Sequence, residues 1–214
     1  MLIDCSSRVR SSIEPAIRMW DTLYNWSNVQ PVQSLGFSGN HEEFSFIPSV
    51  SWQCNDLKFT TAVGSHGVAN SNSVLEIAYT FECLSGQPKL FEFFLLIRPF
   101  QVNPYYQWLN LTGGAGKIRS VAEQAGGIIA VDDKVVLSQK KYDAFGAAGF
   151  DEGNIYDLIR TGRIPGRQAV ADPNGLAGGV LKYTLRLNPG ERISFSVAVP
   201  YYGRRSLETM QSKQ

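Results

Sequence analysis

Excess charge, cysteine and histidine are all scarce in this chain of 214 residues, and each shortage argues against a class of protein. Twenty Lys and Arg against nineteen Asp and Glu leave a formal charge of +1. That is too little to displace the counterions of a duplex, so no nucleic-acid partner is expected. Three cysteines, Cys5, Cys54 and Cys83, form an odd set without metal-ligand spacing, which argues against a disulfide framework or a zinc site. Cys54 and Cys83 lie in strand-like sequence and read as small buried apolar groups. No apolar run approaches the length of a membrane span, and the opening stretch MLIDCSSRVRSSIEPA has no secretory apolar region. No membrane partner is expected, and the sequence indicates no compartment. Only 18% of the residues are charged while 43% are hydrophobic, a dry composition that suits a body with covered faces.

The patterns that are present are mostly those of strands. Leu57 to Val63 alternates, Leu75, Ile77, Tyr79 and Phe81 share one face, and residues 90 to 98 form a wholly apolar, buried strand. Ile128 to Val131 and Lys134 to Ser138 flank Asp132-Asp133 as a two-residue hairpin turn. Leu181 to Leu187 and Ile193 to Val199 alternate with matched pattern around Asn188-Pro189-Gly190-Glu191, which predicts a second antiparallel hairpin. Ile13, Ile17, Trp20, Leu23 and Tyr24 recur at helical spacing behind Ser12, which predicts a helix over 13–24. A second helix is capped by Asn154, presents Ile155, Leu158 and Ile159, and stops at Gly162 before Pro165. Eight or nine antiparallel strands with one or two short helices predict an all-β, two-layer sandwich. The divisions expected are a partly helical segment at 1–36, a sandwich at 37–203 and a disordered tail at 204–214.

The richest stretch is FEFFLLIRPFQVNPYYQWLNL, Phe91 to Leu111, where the apolar strand empties into a polar and aromatic loop. Sugar rings stack their C–H faces on Trp and Tyr, and their hydroxyls need donors and acceptors such as Asn and Gln. Gln101, Asn103, Tyr105, Tyr106, Trp108 and Asn110 offer both within ten residues, and Trp52 can join them from another strand. The competing explanation is structural, because a large aromatic at a sheet's end also plugs a sandwich or meets a neighbouring domain.

Other candidate motifs fail on spacing. Gly113-Gly114-Ala115-Gly116-Lys117 lacks the glycine of a phosphate loop at Leu111 and its hydroxyl residue at Ile118, so it reads as a turn and no cofactor is expected. Gly36-Phe37-Ser38-Gly39 has Asn40 where a nucleophile elbow needs glycine, and His41 and His66 stand in separate segments without paired ligands. Acid pairs could serve glycoside cleavage, but Glu42-Glu43 neighbours on a strand would point to opposite faces. Asp132-Asp133 is explained by its turn and Asp157 by the positive end of its helix. Asp151 and Glu152 are the remaining acids. Arg160, Arg163 and Arg167 suit the carboxyl end of that same helix.

Three segments carry a family resemblance: IRPFQVNPYYQWLN (97–110), DAFGAAGFDEG (143–153) and ADPNGLAGGVLKY (171–183). With LRLNPGE and VAVPYYG following in order, roughly Phe37 to Gly203 resembles part of large bacterial proteins related to six-hairpin glycosidases. Such proteins often carry a discoidin or coagulation-factor 5/8 type label. The resemblance implies a supersandwich-like region, similar to galactose mutarotase-like domains, standing before an (α/α) toroid that holds the catalytic acids. It also implies that this chain is one piece of a longer protein and has no catalytic residue of its own. The function expected is a non-catalytic accessory module of a carbohydrate-active protein, touching saccharide or docking a catalytic toroid. The alternatives are a stand-alone glycoside hydrolase or mutarotase-like sugar epimerase, which needs a carboxylate and a histidine facing one cleft, and a plain scaffold that binds no sugar.

Overall fold

The computed structural model describes residues 2–4, 9–29, 31–33, 47–68, 71–99, 101–103 and 114–201, with backbone alone at 2–4, 9–10, 31–33, 101–103 and 114–115. The chain opens with β1 (Leu2–Asp4), β2 (Val9–Met19), β3 (Thr22–Tyr24) and β4 (Pro31–Gln33). There follow β5 (Ser49–Cys54), β6 (Leu57–His66), β7 (Val74–Cys83), β8 (Lys89–Pro99), β9 (Gln101–Asn103) and β10 (Gly114–Ala115). Then come β11 (Ser120–Gln124), β12 (Ile128–Val131), β13 (Lys134–Ser138) and β14 (Ala144–Ala148). A 3-10 turn (Phe150–Glu152) and α1 (Ile155–Arg160) precede β15 (Ala169–Ala171), β16 (Gly178–Leu187) and β17 (Arg192–Pro200).

These strands build two layers. The first sheet runs β1-β2-β8-β16-β14 with β3 also on β2, and the second runs β15-β11-β12-β13-β17-β7-β6-β5-β4. β9 and β10 pair as a ribbon that joins the hydrogen-bonded order of neither sheet. The predicted all-β sandwich is therefore the observed architecture. Alternation aims one face of each sheet at the other, and aromatic rings meet in the middle: Phe81–Phe93 centroids lie 4.9 Å apart, Tyr183–Phe195 5.0 Å and Phe59–Phe93 5.5 Å. Each such side chain, fully removed from water, contributes about 1.5–3 kcal/mol. At one side the layers are joined by a strap: Arg167 bridges Ala147 on the first sheet's edge, and β15 then pairs with β11 of the second. Gly146 makes room for this strap, since a Cβ there would fall 2.1 Å from the Pro165 carbonyl oxygen.

Two expectations are corrected. Residues 13–24 are not a helix but most of β2 and all of β3. Ile13 and Ile17 are four apart, a spacing that lies on one face of a strand as well as of a helix, and with Met19 they point into the inter-sheet core. Trp20, which a helix would have buried with them, is exposed. Pro15 is tolerated because β1 covers only 9–12 of β2's outer edge and β3 only 17–19, so the position between them has no ladder bond to lose. Because β2 pairs along its length with β8, the sandwich includes residues that the sequence set apart as an amino-terminal segment.

The second correction concerns residues 181–199. β16 and β17 do not pair as a hairpin: β16 lies between β8 and β14, and β17 between β7 and β13. The Asn188–Glu191 turn carries the chain from one layer to the other. Matched alternation is what either arrangement needs, and here the two apolar faces meet across the core instead of side by side.

The helix at 155–160 is as expected, with the Asn154 side chain accepting from Tyr156 N at 3.0 Å. It covers part of the first sheet's outer face, where Ile155 and Ile159 join Ala16, Phe94, Leu96 and Val180 in a second apolar cluster. Its far end is clamped by a charged row. Arg18 and Lys182 both pair with Glu92, Arg18 Nε donates to the Arg160 carbonyl, and Lys182 Nζ donates to the Gly162 carbonyl. At six residues this helix is far too short to cross a membrane.

Candidate functional site

Outward-facing residues of β8 alternate as Glu92, Phe94, Leu96 and Arg98. The helix covers the middle of this row, so Arg98 emerges just past the helix's first turn. Antiparallel pairing sets Ser12 opposite Arg98 and Glu14 opposite Leu96. Glu14 is then gripped from three sides: by the Ser12 hydroxyl at 2.5 Å, the Tyr156 hydroxyl at 2.8 Å and the Arg98 guanidinium at 3.4 Å. The guanidinium also lies 4.8 Å from the centre of the Tyr156 ring. Burial first, then the adjacent Glu14 carboxylate, push the Tyr156 phenol up from its ordinary pKa.

Beside this cluster opens a cleft of about 410 Å³. Arg98 and Pro99 form one wall, Ala148, Gly149, Phe150, Gly153, Asn154 and Ile155 a second, and Leu176 and Gly178 the third. The second and third walls are joined by Asp172, a nearly buried carboxylate that accepts from Phe150 N at 2.6 Å and Asn174 N at 2.7 Å. Those backbone donors, Phe150 foremost, hold its pKa below the ordinary aspartate value. Glu152 ties down the same turn, accepting from Gly149 N at 2.8 Å and pairing with Arg167 at 3.0 Å. Phe150 itself is 60% exposed. The cleft thus combines a guanidinium, an amide and an open aromatic face, with the cation already neutralised by Glu14. Such a set suits a neutral, hydroxylated ligand with an apolar face.

The three segments that carry the family resemblance converge here. Eight of the ten lining residues come from 97–110, 143–153 and 171–183, and Asp172 of the last segment bonds directly to Phe150 of the second. Sequence reasoning missed Glu14 because it was assigned to a helix. It missed Phe150, Tyr156 and Asp172 because a single aromatic or acid has no periodic signal; the place of Phe150 and Asp172 in those segments was the sole clue, and Tyr156 had none.

The residues put forward from sequence are only partly placed. Trp52 is in β5, half-buried, its ring 5.3 Å from Phe59 at the rim of the inter-sheet core. Gln101 and Asn103 are in β9, whose backbone pairs with β10 and lies beside β2, so the ribbon brackets residues 104–113. Tyr105, Tyr106, Trp108 and Asn110 lie outside the described residues, as do His41, Glu42, Glu43 and the 204–214 tail. His66 pairs with Glu76 at 2.7 Å on the open surface. The Asp132 carboxylate accepts from Arg119 N and Ser120 N at its turn. Among the described residues no group of three or more His, Cys, Asp or Glu is arranged to hold a metal.

No family model matches the sequence, and no curated protein matches it. Solved structures do match, among them one described as "Putative kojibiose phosphorylase from human microbiome", at 11% identity and a TM-score of 0.45. The match covers 92% of this chain and 23% of that one. No activity follows from a likeness of that degree, and none of the comparisons supports a discoidin-type label.

Proposed function

We propose that this chain is a non-catalytic β-sandwich module of a carbohydrate-active protein, contacting saccharide at the strand-exit cleft and the adjoining stretch 101–110. The observation that carries this reading is the convergence of the three motif segments on one cleft furnished with Arg98, Asn154 and an open Phe150 ring. The supersandwich likeness belongs to the same reading, as does a partner (α/α) toroid that would hold the catalytic acids. The carboxylates around the cleft support an accessory role. Glu14, Glu152 and Asp172 are each engaged by two or more donors, which is how an acid is kept for structure and not for proton transfer. An epimerase or hydrolase would need a histidine or free acid facing the cleft; among the described residues the histidine is His66, which is paired to Glu76 outside it.

Isothermal titration with neutral gluco- and galacto-oligosaccharides tests the proposal. Millimolar binding is expected, weakened roughly fivefold in Phe150→Ala, the equivalent of about 1 kcal/mol of aromatic contact. Reducing-sugar assays on the same ligands should stay at background. Absence of heat with every ligand, or steady turnover by the purified chain, contradicts it.

A further inference from the structure

The hairpin that joins β2 to β3 turns on two residues, Trp20 and Asp21, between paired Met19 and Thr22. Such turns favour asparagine or glycine because the backbone enters the left-handed region. Trp20 sits there with φ of 58° and is 81% exposed, so a bulky side chain occupies a disfavoured conformation without the reward of burial. Trp26, at the other end of β3, is 66% exposed. Its turn is held rigid: Asn25 Oδ1 accepts from Ser27 N at 2.9 Å and from the Ser27 hydroxyl at 2.6 Å, Asn28 Oδ1 accepts from Asn25 N at 2.8 Å, and Asn28 Nδ2 donates to the Leu23 carbonyl at 2.8 Å. Between the indoles, Leu23 is buried in the cluster beneath α1 and Tyr24 packs on the main core, so the presenting strand is fixed to the body.

We propose that this hairpin and its exit turn form a second saccharide surface, on which Trp20 and Trp26 stack against separate units of a neutral polysaccharide. The proposal rests on the carbohydrate reading above but uses none of the cleft's residues. A protein interface needs a contiguous apolar centre. Here the Cα atoms of Trp20 and Trp26 are at most about 20 Å apart by chain length, the exposed Asp21 and Thr22 lie between them in the chain, and the exposed Ser27 and Asn28 follow Trp26. An occupant that alternates C–H faces with hydroxyls suits two open indoles set among exposed polar residues. The local charges suit a neutral ligand too, since Arg18 is shared between Asp21 and Glu92.

Native electrophoresis of the full chain in gels containing soluble starch, xylan or mixed-linkage β-glucan tests the idea. The wild type should be retarded in at least one gel. The double variant Trp20→Gly/Trp26→Ala should run as in a plain gel while its far-UV circular dichroism keeps the β-sheet signal of the wild type. Trp20→Gly alone should raise the thermal midpoint by about 2–4 °C, because glycine releases the strained turn. Retardation of the wild type in none of the gels, undiminished retardation of the double variant, or a lowered midpoint for Trp20→Gly would overturn the proposal. Phe150→Ala separates the two sites: retardation lost there but kept in the hairpin variants sinks this surface and leaves the cleft reading standing, and the reverse pattern does the opposite.

Discussion

Tyr79 is fully buried among Phe59, Phe93 and Phe195, yet its hydroxyl has no hydrogen-bond partner among the described residues. The buried Tyr183 and the half-buried Tyr142 and Tyr156 differ: Tyr183 donates to Ser138 at 2.8 Å, Tyr142 to Glu123 and Tyr156 to Glu14. An unpaired buried hydroxyl costs about 1–3 kcal/mol. Tyr79→Phe keeps the ring and removes that cost, so it should raise the thermal midpoint by about 2–4 °C in a calorimetric scan. A lowered midpoint would mean that the hydroxyl is satisfied after all. Single residues of this kind are the least legible in sequence. Tyr79 and Tyr183 occupy equivalent places in their alternating patterns, and only packing against Ser138 separates a paired phenol from an unpaired one. Cys54 was easier, because its strand pattern already made it an inward group. Burial pushes its thiol up to about 11, leaving little reactive thiolate at neutral pH.

Asp172 shows what holds at the scale of elements. Its carboxylate joins the turn before β16 to the 3-10 turn before α1, and through that joint it shapes two walls of the cleft. Its folded-state pKa lies below the value near 3.9 of an unfolded aspartate. Between those values the unfolded chain binds more protons, so stability rises with pH there. The contribution is complete above the unfolded value and is lost as pH falls through the folded one. Urea midpoints measured from pH 7 down to pH 3 should therefore fall less steeply for Asp172→Asn than for the wild type, and parallel curves would contradict the assignment. The elements that the sequence revealed are those whose local pattern admits one answer. These include the unbroken apolar run of β8, the Asp132-Asp133 turn, and the Asn154-to-Gly162 helix with its cap and stop. The two errors arose where a local pattern admits two answers. Ile13 and Ile17 fit either period, and the alternation of 181–199 fits either a hairpin or a crossing between layers. Long-range pairing with β8 and β7 decided both.

For the molecule as a whole, two stacked sheets bury an aromatic core while the first sheet's outer face is covered only in part by α1. The cleft lies where that cover ends and β8 leaves the sheet. The sequence pointed to this strand exit through the crowding of aromatic and amide residues after Arg98. It could not show that residues from 148–155 and 176–178 would close on the same spot, because their proximity depends on β14 and β16 pairing alongside β8. The central claim is that this convergence makes a saccharide site. Amide chemical-shift mapping by NMR, with neutral oligosaccharide added to the labelled chain at millimolar concentration, tests it most directly. The account predicts shifts concentrated at Arg98, Ala148 to Ile155, Leu176 and Gly178. A spectrum without change, or changes confined to surfaces remote from these residues, would contradict it.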